Sequence, residues 1–229
     1  MFLPPLQAAI IDLDGTLVDT VGDFELALNR MLAELGLPGV ERAFIERTVG
    51  KGSEHLLRST LVHVGAGLGA DVQALAEPAW QHYQRHYLQI NGQASRVYDG
   101  VFEGLQRLAA LGLKLACLTN KPGDFARPLL AAKGLDRFFD PGLVFGGDAF
   151  ARKKPDPLPL LETCKALGSL PGATLMVGDS SNDAQAARAA GCPVVLVDYG
   201  YNHGRPVAEA APDAVITGLD ALAALLAPR

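Results

Sequence analysis

The chain has no clustered basic run, no long apolar stretch and very little cysteine, and each shortage removes a class of function. Its 20 Lys and Arg stand against 25 Asp and Glu, a formal net charge of -5. Gripping a nucleic-acid backbone needs Lys and Arg gathered on one surface, so nucleic acid is not an expected partner. No apolar stretch reaches the roughly 18 residues that a membrane-spanning helix requires. The start, Met1-Phe2-Leu3-Pro4-Pro5, lacks the basic region and apolar core of a secretory signal. The expectation is a cytoplasmic protein with no membrane partner. The three cysteines, Cys117, Cys164 and Cys192, show no metal-ligand spacing and no paired histidine. They are expected to be reduced, buried thiols and not nucleophiles.

What is present suits a globular fold. With 229 residues, 49% of them hydrophobic and 20% charged, one or two domains with a sizeable core are expected. Ala8-Ala9-Ile10-Ile11 and the runs at 114–119, 173–178 and 193–198 read as buried parallel strands, with a shorter one at 143–147. Helical patterns separate them. Val101, Leu105, Leu108 and Leu111 recur at helical spacing before Gly112, and Asp156-Pro157 reads as an N-cap followed by proline at the first helical position. Strands alternating with helices predict an α/β fold, a doubly wound parallel sheet covered on both faces. One segment breaks the alternation. From 19 to 96 only helical periodicity is found: a stripe of Phe24, Leu28, Met31, Leu32 and Leu35 ended by Gly36, then helices near 41–48, 54–64 and 71–87. The expected division is an α/β core of residues 1–18 and 97–229 with an all-helical cap of residues 19–96 inserted after the first strand, and hinges near 19–22 and 94–100. The Gly-rich stretch at 64–69 reads as a helix–helix connection, because it follows a helix and lacks the Lys-Ser/Thr of a phosphate-binding loop.

The most informative residues follow the first strand: Asp12-Leu13-Asp14-Gly15-Thr16-Leu17-Val18-Asp19. Asp12 and Asp14 share one face of an extended chain, and Gly15 permits a sharp turn. Two close carboxylates repel unless a cation or shared proton compensates, and a hard divalent ion such as Mg2+ prefers oxygen ligands. Three more clusters fall at or beyond strand ends: Thr119-Asn120-Lys121, Lys154-Pro155 and Gly178-Asp179-Ser180-Ser181-Asn182-Asp183. In one parallel sheet all four converge on the carboxyl edge, where such sheets bind ligands. Acids to hold a metal, with a lysine and a helix start to hold an anion, suit a phosphate ester.

In their order and composition these four motifs resemble those of the haloacid dehalogenase-like hydrolase superfamily, and the helical insert resembles the cap of its phosphoglycolate phosphatase-like branch. The resemblance implies a Mg2+-dependent phosphatase acting on a small phosphorylated metabolite, with 2-phosphoglycolate the best specific expectation. It assigns Asp12 as the nucleophile that becomes an aspartyl-phosphate, Asp14 as the group that protonates the leaving oxygen and then activates water, and Lys154 as the residue that steadies both. Thr119, Asn120 and Gly15 fall at the phosphate. Asp12, Asp14 (through its backbone carbonyl), Asp179 and Asp183 fall at the metal. In the insert, Lys51 between two glycines is the candidate for a remote substrate carboxylate, with a surface-loop lysine as the alternative. His55, His63, His82 and His86 are expected at surface or partly packed positions, and Trp80, Tyr83 and Tyr87 in a core. Tyr201 and His203 fall near the site edge without an assigned role. A sugar-phosphate phosphatase, or a phosphomutase using the same site, remains open. A dehalogenase would need neither metal nor Asp14, and a receiver-like phosphate-accepting module would be near half this length. Monomer and homodimer are both compatible with the sequence.

Overall fold

A computed structural model describes residues 5–66 and 72–226; the Gly-rich connection beyond residue 66 and the expected helix start at residue 71 lie outside these. In chain order the elements are β1 (Ala8–Ile11), β2 (Val18–Asp19), α1 (Val21–Glu34), α2 (Arg42–Thr48), α3 (Ser53–Gly65), α4 (Val72–Ile90), β3 (Arg96–Val97), α5 (Val101–Ala110), β4 (Lys114–Leu118), α6 (Gly123–Ala132), β5 (Val144–Phe145), α7 (Leu158–Leu167), β6 (Thr174–Gly178), α8 (Ser181–Ala190), β7 (Val194–Val197), β8 (Ala214–Ile216) and α9 (Leu219–Leu226). No helix is long and apolar enough to cross a membrane, among the described residues.

Six strands form one parallel sheet in the order β5-β4-β1-β6-β7-β8. The chain leaves β1 to one side for β4 and β5, then crosses back to the other side for β6, β7 and β8. The order therefore reverses at β1, and such a reversal opens a crevice at the strands' carboxyl ends. Strand alternation divides the core. Ala9, Ile11, Cys117, Val177 and Val195 pack with Leu105, Leu129 and Leu219 on one face. Ala8, Ile10, Ala116, Met176 and Leu196 pack with Leu160, Ala184 and Ala187 on the other. Cys117, Cys164 and Cys192 are free and buried, as expected.

The four helices α1 to α4 have their own apolar cluster. The Phe24, Leu28, Met31 and Leu32 stripe meets Leu57, Leu61, Tyr83 and Tyr87, and Phe125 and Tyr201 join it from outside the segment. Helix α4 runs through Pro78 to Ile90, past the expected end. The two chain crossings between helices and sheet are tied to each other. Val18 and Asp19 pair antiparallel with Val97 and Arg96, and the buried Asp23 carboxylate accepts from the Gly92 and Ala94 N–H groups at 2.8 and 2.7 Å.

Two local expectations need correction. Helix α7 begins at Leu158, one residue beyond Pro157, although Asp156 Oδ1 still accepts from the Leu158 N–H at 2.9 Å. The strand at 143–147 shortens to Val144–Phe145, because a 3-10 turn takes up Pro141–Leu143.

Candidate active site

The site begins where β1 stops. The Asp12 N–H still pairs with the Val177 carbonyl at 2.9 Å, so Asp12 continues the sheet. The chain then turns back on itself: the N–H groups of Leu17 and Val18 both reach the Leu13 carbonyl at 3.0 Å. Gly15 makes this turn with φ of +84°, and a Cβ there would sit 2.1 Å from Asp179 Oδ2. Both the left-handed backbone and the close approach require glycine. Gly15 thus sits against Asp179 and does not line the central cavity, so contact with phosphate is not its evident task.

The clusters after β4 and β6 and the Lys154-Pro155 segment do converge on Asp12. Lys154 Nζ lies 2.9 Å from Asp12 Oδ1 and 2.7 Å from Asp183 Oδ1, and donates to the Leu118 carbonyl at 2.9 Å. The Asn120 side chain fixes that lysine's backbone: Oδ1 accepts from the Lys154 N–H at 3.0 Å, and Nδ2 donates to the Lys154 carbonyl at 2.8 Å. Asp183 also caps the start of α8, accepting through Oδ2 from the Ser180 N–H and hydroxyl at 3.2 and 2.8 Å. Asp179 Oδ2 accepts from the Tyr201 N–H at 2.6 Å. Thr119 Oγ1 accepts from the Lys121 N–H at 3.2 Å, which leaves the hydroxyl proton available to a ligand.

One oxygen from each of Asp12, Asp179 and Asp183 lies within 4.8 Å of the others. Burial pushes the Asp12 carboxyl up, to about 7, against the pull of Lys154, and Asp183 adds to the rise. Burial, with Asp183 and Asp12 beside it, also pushes the Asp179 carboxyl well above its ordinary value. Burial works against the Lys154 ammonium, but the Asp12 and Asp183 carboxylates outweigh it and raise its pKa. With Asp14 and Lys121 counted, four carboxylates face two ammonium groups, formally two negative charges in excess. An all-oxygen donor set with that deficit fits a hard divalent cation. The Asp14 carboxylate stands apart from the three-acid group and meets Lys121 Nζ at 3.0 Å.

A cavity of about 20 Å3 opens above Asp12. Asp12, Asp14, Thr119, Asn120 and Lys121 form one wall, and Phe24, Val49, Gly50, Gly52, Ser53 and Leu56 form the other. Two core amides hold the helical segment here: Nδ2 of Asn120 and of Asn182 donate to the Gly50 carbonyl at 3.0 and 3.3 Å. Lys51 is exposed and absent from the lining, while its neighbours Gly50 and Gly52 are part of it.

Lys121 stands in the second motif, where the sequence assigns it no role. Its side chain is fully buried, with Nζ 4.2 Å from the centroid of the Phe24 ring and 4.9 Å from that of Tyr87. Adjacency to Thr119 was the available signal; the aromatic cage comes from helices remote in sequence.

Comparison with known proteins points to one family. The family model of haloacid dehalogenase-like hydrolases matches residues 9–197. The chain is 46% identical over 225 residues to a phosphoglycolate phosphatase of Thiobacillus denitrificans, covering 98% of this chain and 97% of that one. It is likewise 46% identical over 215 residues to a phosphoglycolate phosphatase of Nitrosospira multiformis, covering 94% and 93%. A crystal structure from Haemophilus somnus, described as a predicted phosphoglycolate phosphatase, superposes with a TM-score of 0.93 at 31% identity, covering 97% of this chain and 98% of that one. The chain belongs to the haloacid dehalogenase-like hydrolases, in their phosphoglycolate phosphatase-like branch.

Proposed function

We propose that this phosphoric monoester hydrolase cleaves 2-phosphoglycolate to glycolate and phosphate, through an aspartyl-phosphate on Asp12 and with Mg2+ bound. The observation that carries the reading is Asp12 itself, a buried carboxylate at the sheet's switch point that lines a cavity together with Asp14 and Thr119. The support for 2-phosphoglycolate over a sugar phosphate is the 46% identity, over nearly the full chain, to proteins named phosphoglycolate phosphatase.

Lys154 engages Asp12 Oδ1, which leaves Oδ2 to attack phosphorus. The P–O bond to the alkyl oxygen breaks as the bond to Oδ2 forms, and Asp14 gives its proton to the departing alkoxide. In the second half Asp14 takes a proton from water, the water oxygen attacks phosphorus, and the Asp12 carboxylate leaves. The Thr119 hydroxyl donates to a phosphoryl oxygen throughout. Asp12, Asp179 and Asp183, with the Asp14 carbonyl, would hold Mg2+, which when bound supplies positive charge to the transferring group. Residues 19–96 act as the cap on the core of 1–18 and 97–229, and closure excludes water during the first step.

Initial rates on a panel of phosphorylated metabolites, with and without Mg2+, test the reading. The expected result is Mg2+-dependent phosphate release fastest on 2-phosphoglycolate. Faster turnover of sugar phosphates would overturn the substrate, and full activity of Asp12→Asn would overturn the covalent mechanism.

A further inference from the structure

We propose that Lys121 reads the carboxylate of the substrate, making it the specificity-determining residue of the site. This rests on the substrate proposed above and extends it to a residue so far without a role.

The side chain of Lys121 is fully buried, and its Nζ makes no hydrogen bond of good geometry among the described residues. Its one ion-pair contact is Asp14 Oδ1 at 3.0 Å, and the faces of Phe24 and Tyr87 cover other sides of the ammonium. An ammonium has three protons to donate. A cation removed from water with donors unspent is costly unless an anion completes its shell. Aromatic faces favour the charge but accept no conventional hydrogen bond. The missing partner must come from the cavity, which Lys121 lines.

The order of atoms in the substrate matches the order of groups in the site. The phosphorus belongs at Asp12 and the leaving oxygen at Asp14. The substrate carboxylate carbon lies two bonds beyond that oxygen, and Lys121 lies one ion-pair contact beyond Asp14. A second feature points at the same place. Ser53, the first residue of the 13-residue helix α3, and Gly52 just before it line the same cavity as Lys121. The unsatisfied N–H groups of a helix start favour an anion. A carboxylate between Lys121 and the α3 start would touch both walls, so the acid group would itself hold the helical segment closed. Lys51, exposed beside the cavity, has no comparable position.

The test compares 2-phosphoglycolate with its neutral isostere, 2-phosphoglycolamide, on the Mg2+-loaded full chain. Wild type should prefer the acid by about 100-fold in kcat/KM, the worth of one buried charge-assisted contact. Lys121→Met keeps bulk between the two rings and removes the charge; the preference should fall to within about 5-fold. Lys121→Arg should retain most of it. If Lys121→Met does not fold, Lys121→Gln carries the same comparison. A preference left intact in the neutral variant overturns the role of Lys121. Equal losses on acid and amide also overturn it, and leave Lys121 as a support for Asp14 alone. No preference in wild type is a different failure: it overturns the carboxylate-bearing substrate before any variant is read.

Discussion

Asp12 and Asp19 flank the same turn, each is paired with cations, and their carboxyl groups are driven in opposite directions. Asp12 meets Lys154 at 2.9 Å under nearly complete burial, and burial, with Asp183 adding to it, pushes its carboxyl up to about 7. Asp19 lies at the crossing between sheet and helices. There burial is outweighed by the Tyr201 hydroxyl and by Arg42 and Arg96, at 3.5 and 3.3 Å, and the carboxyl falls below its ordinary value. Opposite charge within reach is therefore not the deciding variable. At Asp12 several acids share too few cations away from water; at Asp19 one acid has two guanidinium groups and a hydroxyl near solvent. The first arrangement is the one proposed to take a metal and to react. The second is a joint.

The largest expected effect separates the two acids by function. Asp12→Asn should lower turnover by at least about 10^4-fold, since the nucleophile proposed at Asp12 would have no substitute. Asp19→Asn should stay within roughly 10-fold, because it disturbs only the joint. Phosphate release under saturating substrate measures both, and comparable losses would break the contrast.

The second effect is metal-linked stability. A ligand bound only by the folded chain stabilises it by about 2.7 kcal/mol at 100 times its Kd. For a chain of this size that corresponds to a Tm rise of roughly 5–10 °C. Excess Mg2+ against a chelator should give that shift in wild type and much less in Asp179→Asn. The same addition should leave the effect of Asp19→Asn unchanged.

What the sequence disclosed follows from how far each signal reaches. β1, β4, β6 and β7 were legible because each is a nearly unbroken apolar run buried on both faces. β8, only Ala214–Ile216 with Val215 exposed, has no such run and went unread. Asp12, Thr119, Asp179 and Asp183 could be placed because parallel topology brings strand ends together, and Lys154, nine residues past β5, because it directly precedes Pro155 as in the family motif. The cage around Lys121 could not, since Phe24 and Tyr87 reach it only after α1 and α4 dock. Nor could the contact between the Tyr201 N–H and Asp179, formed by a loop after β7. For Lys51, positive φ at Gly50 and Gly52 turns the loop in a way no periodicity reveals.

The third effect is a pH dependence of metal-free stability. Asp12 binds its proton more tightly folded than unfolded, 3.8 being the ordinary value. Its contribution is therefore fully present below about pH 4 and is lost as pH rises through about 7. Asp19 has the reverse sign: its contribution is present at neutral pH and fades only as pH falls below the ordinary carboxylate range. Thermal melts in chelator between pH 4.5 and 7.5 should show stability falling with pH. Asp12→Asn should reduce that slope, the remainder belonging to Asp179, whose carboxyl is also raised, and Asp19→Asn should leave it in place. An undiminished slope in Asp12→Asn would assign it elsewhere.

The smallest effects test the joint from within. Tyr201 bridges both regions: its hydroxyl donates to Asp19 Oδ1 and accepts from the Thr20 N–H at 3.1 Å, while its own N–H donates to Asp179. Tyr201→Phe removes the first two contacts and keeps the third. Each net hydrogen bond is worth about 1 kcal/mol, so losing two should lower Tm by roughly 4–8 °C for a chain of this length. Arg96 pairs with the same carboxylate, but its side chain is 79% exposed, and an exposed pair contributes about 0–1 kcal/mol. Arg96→Ala should therefore cost less than Tyr201→Phe, and its effect should shrink in high salt while that of Tyr201→Phe persists. If the order were reversed, Asp19 would be held by charge and not by the buried hydroxyl. The joint would then resemble the Asp12 site more closely than its solvent exposure implies.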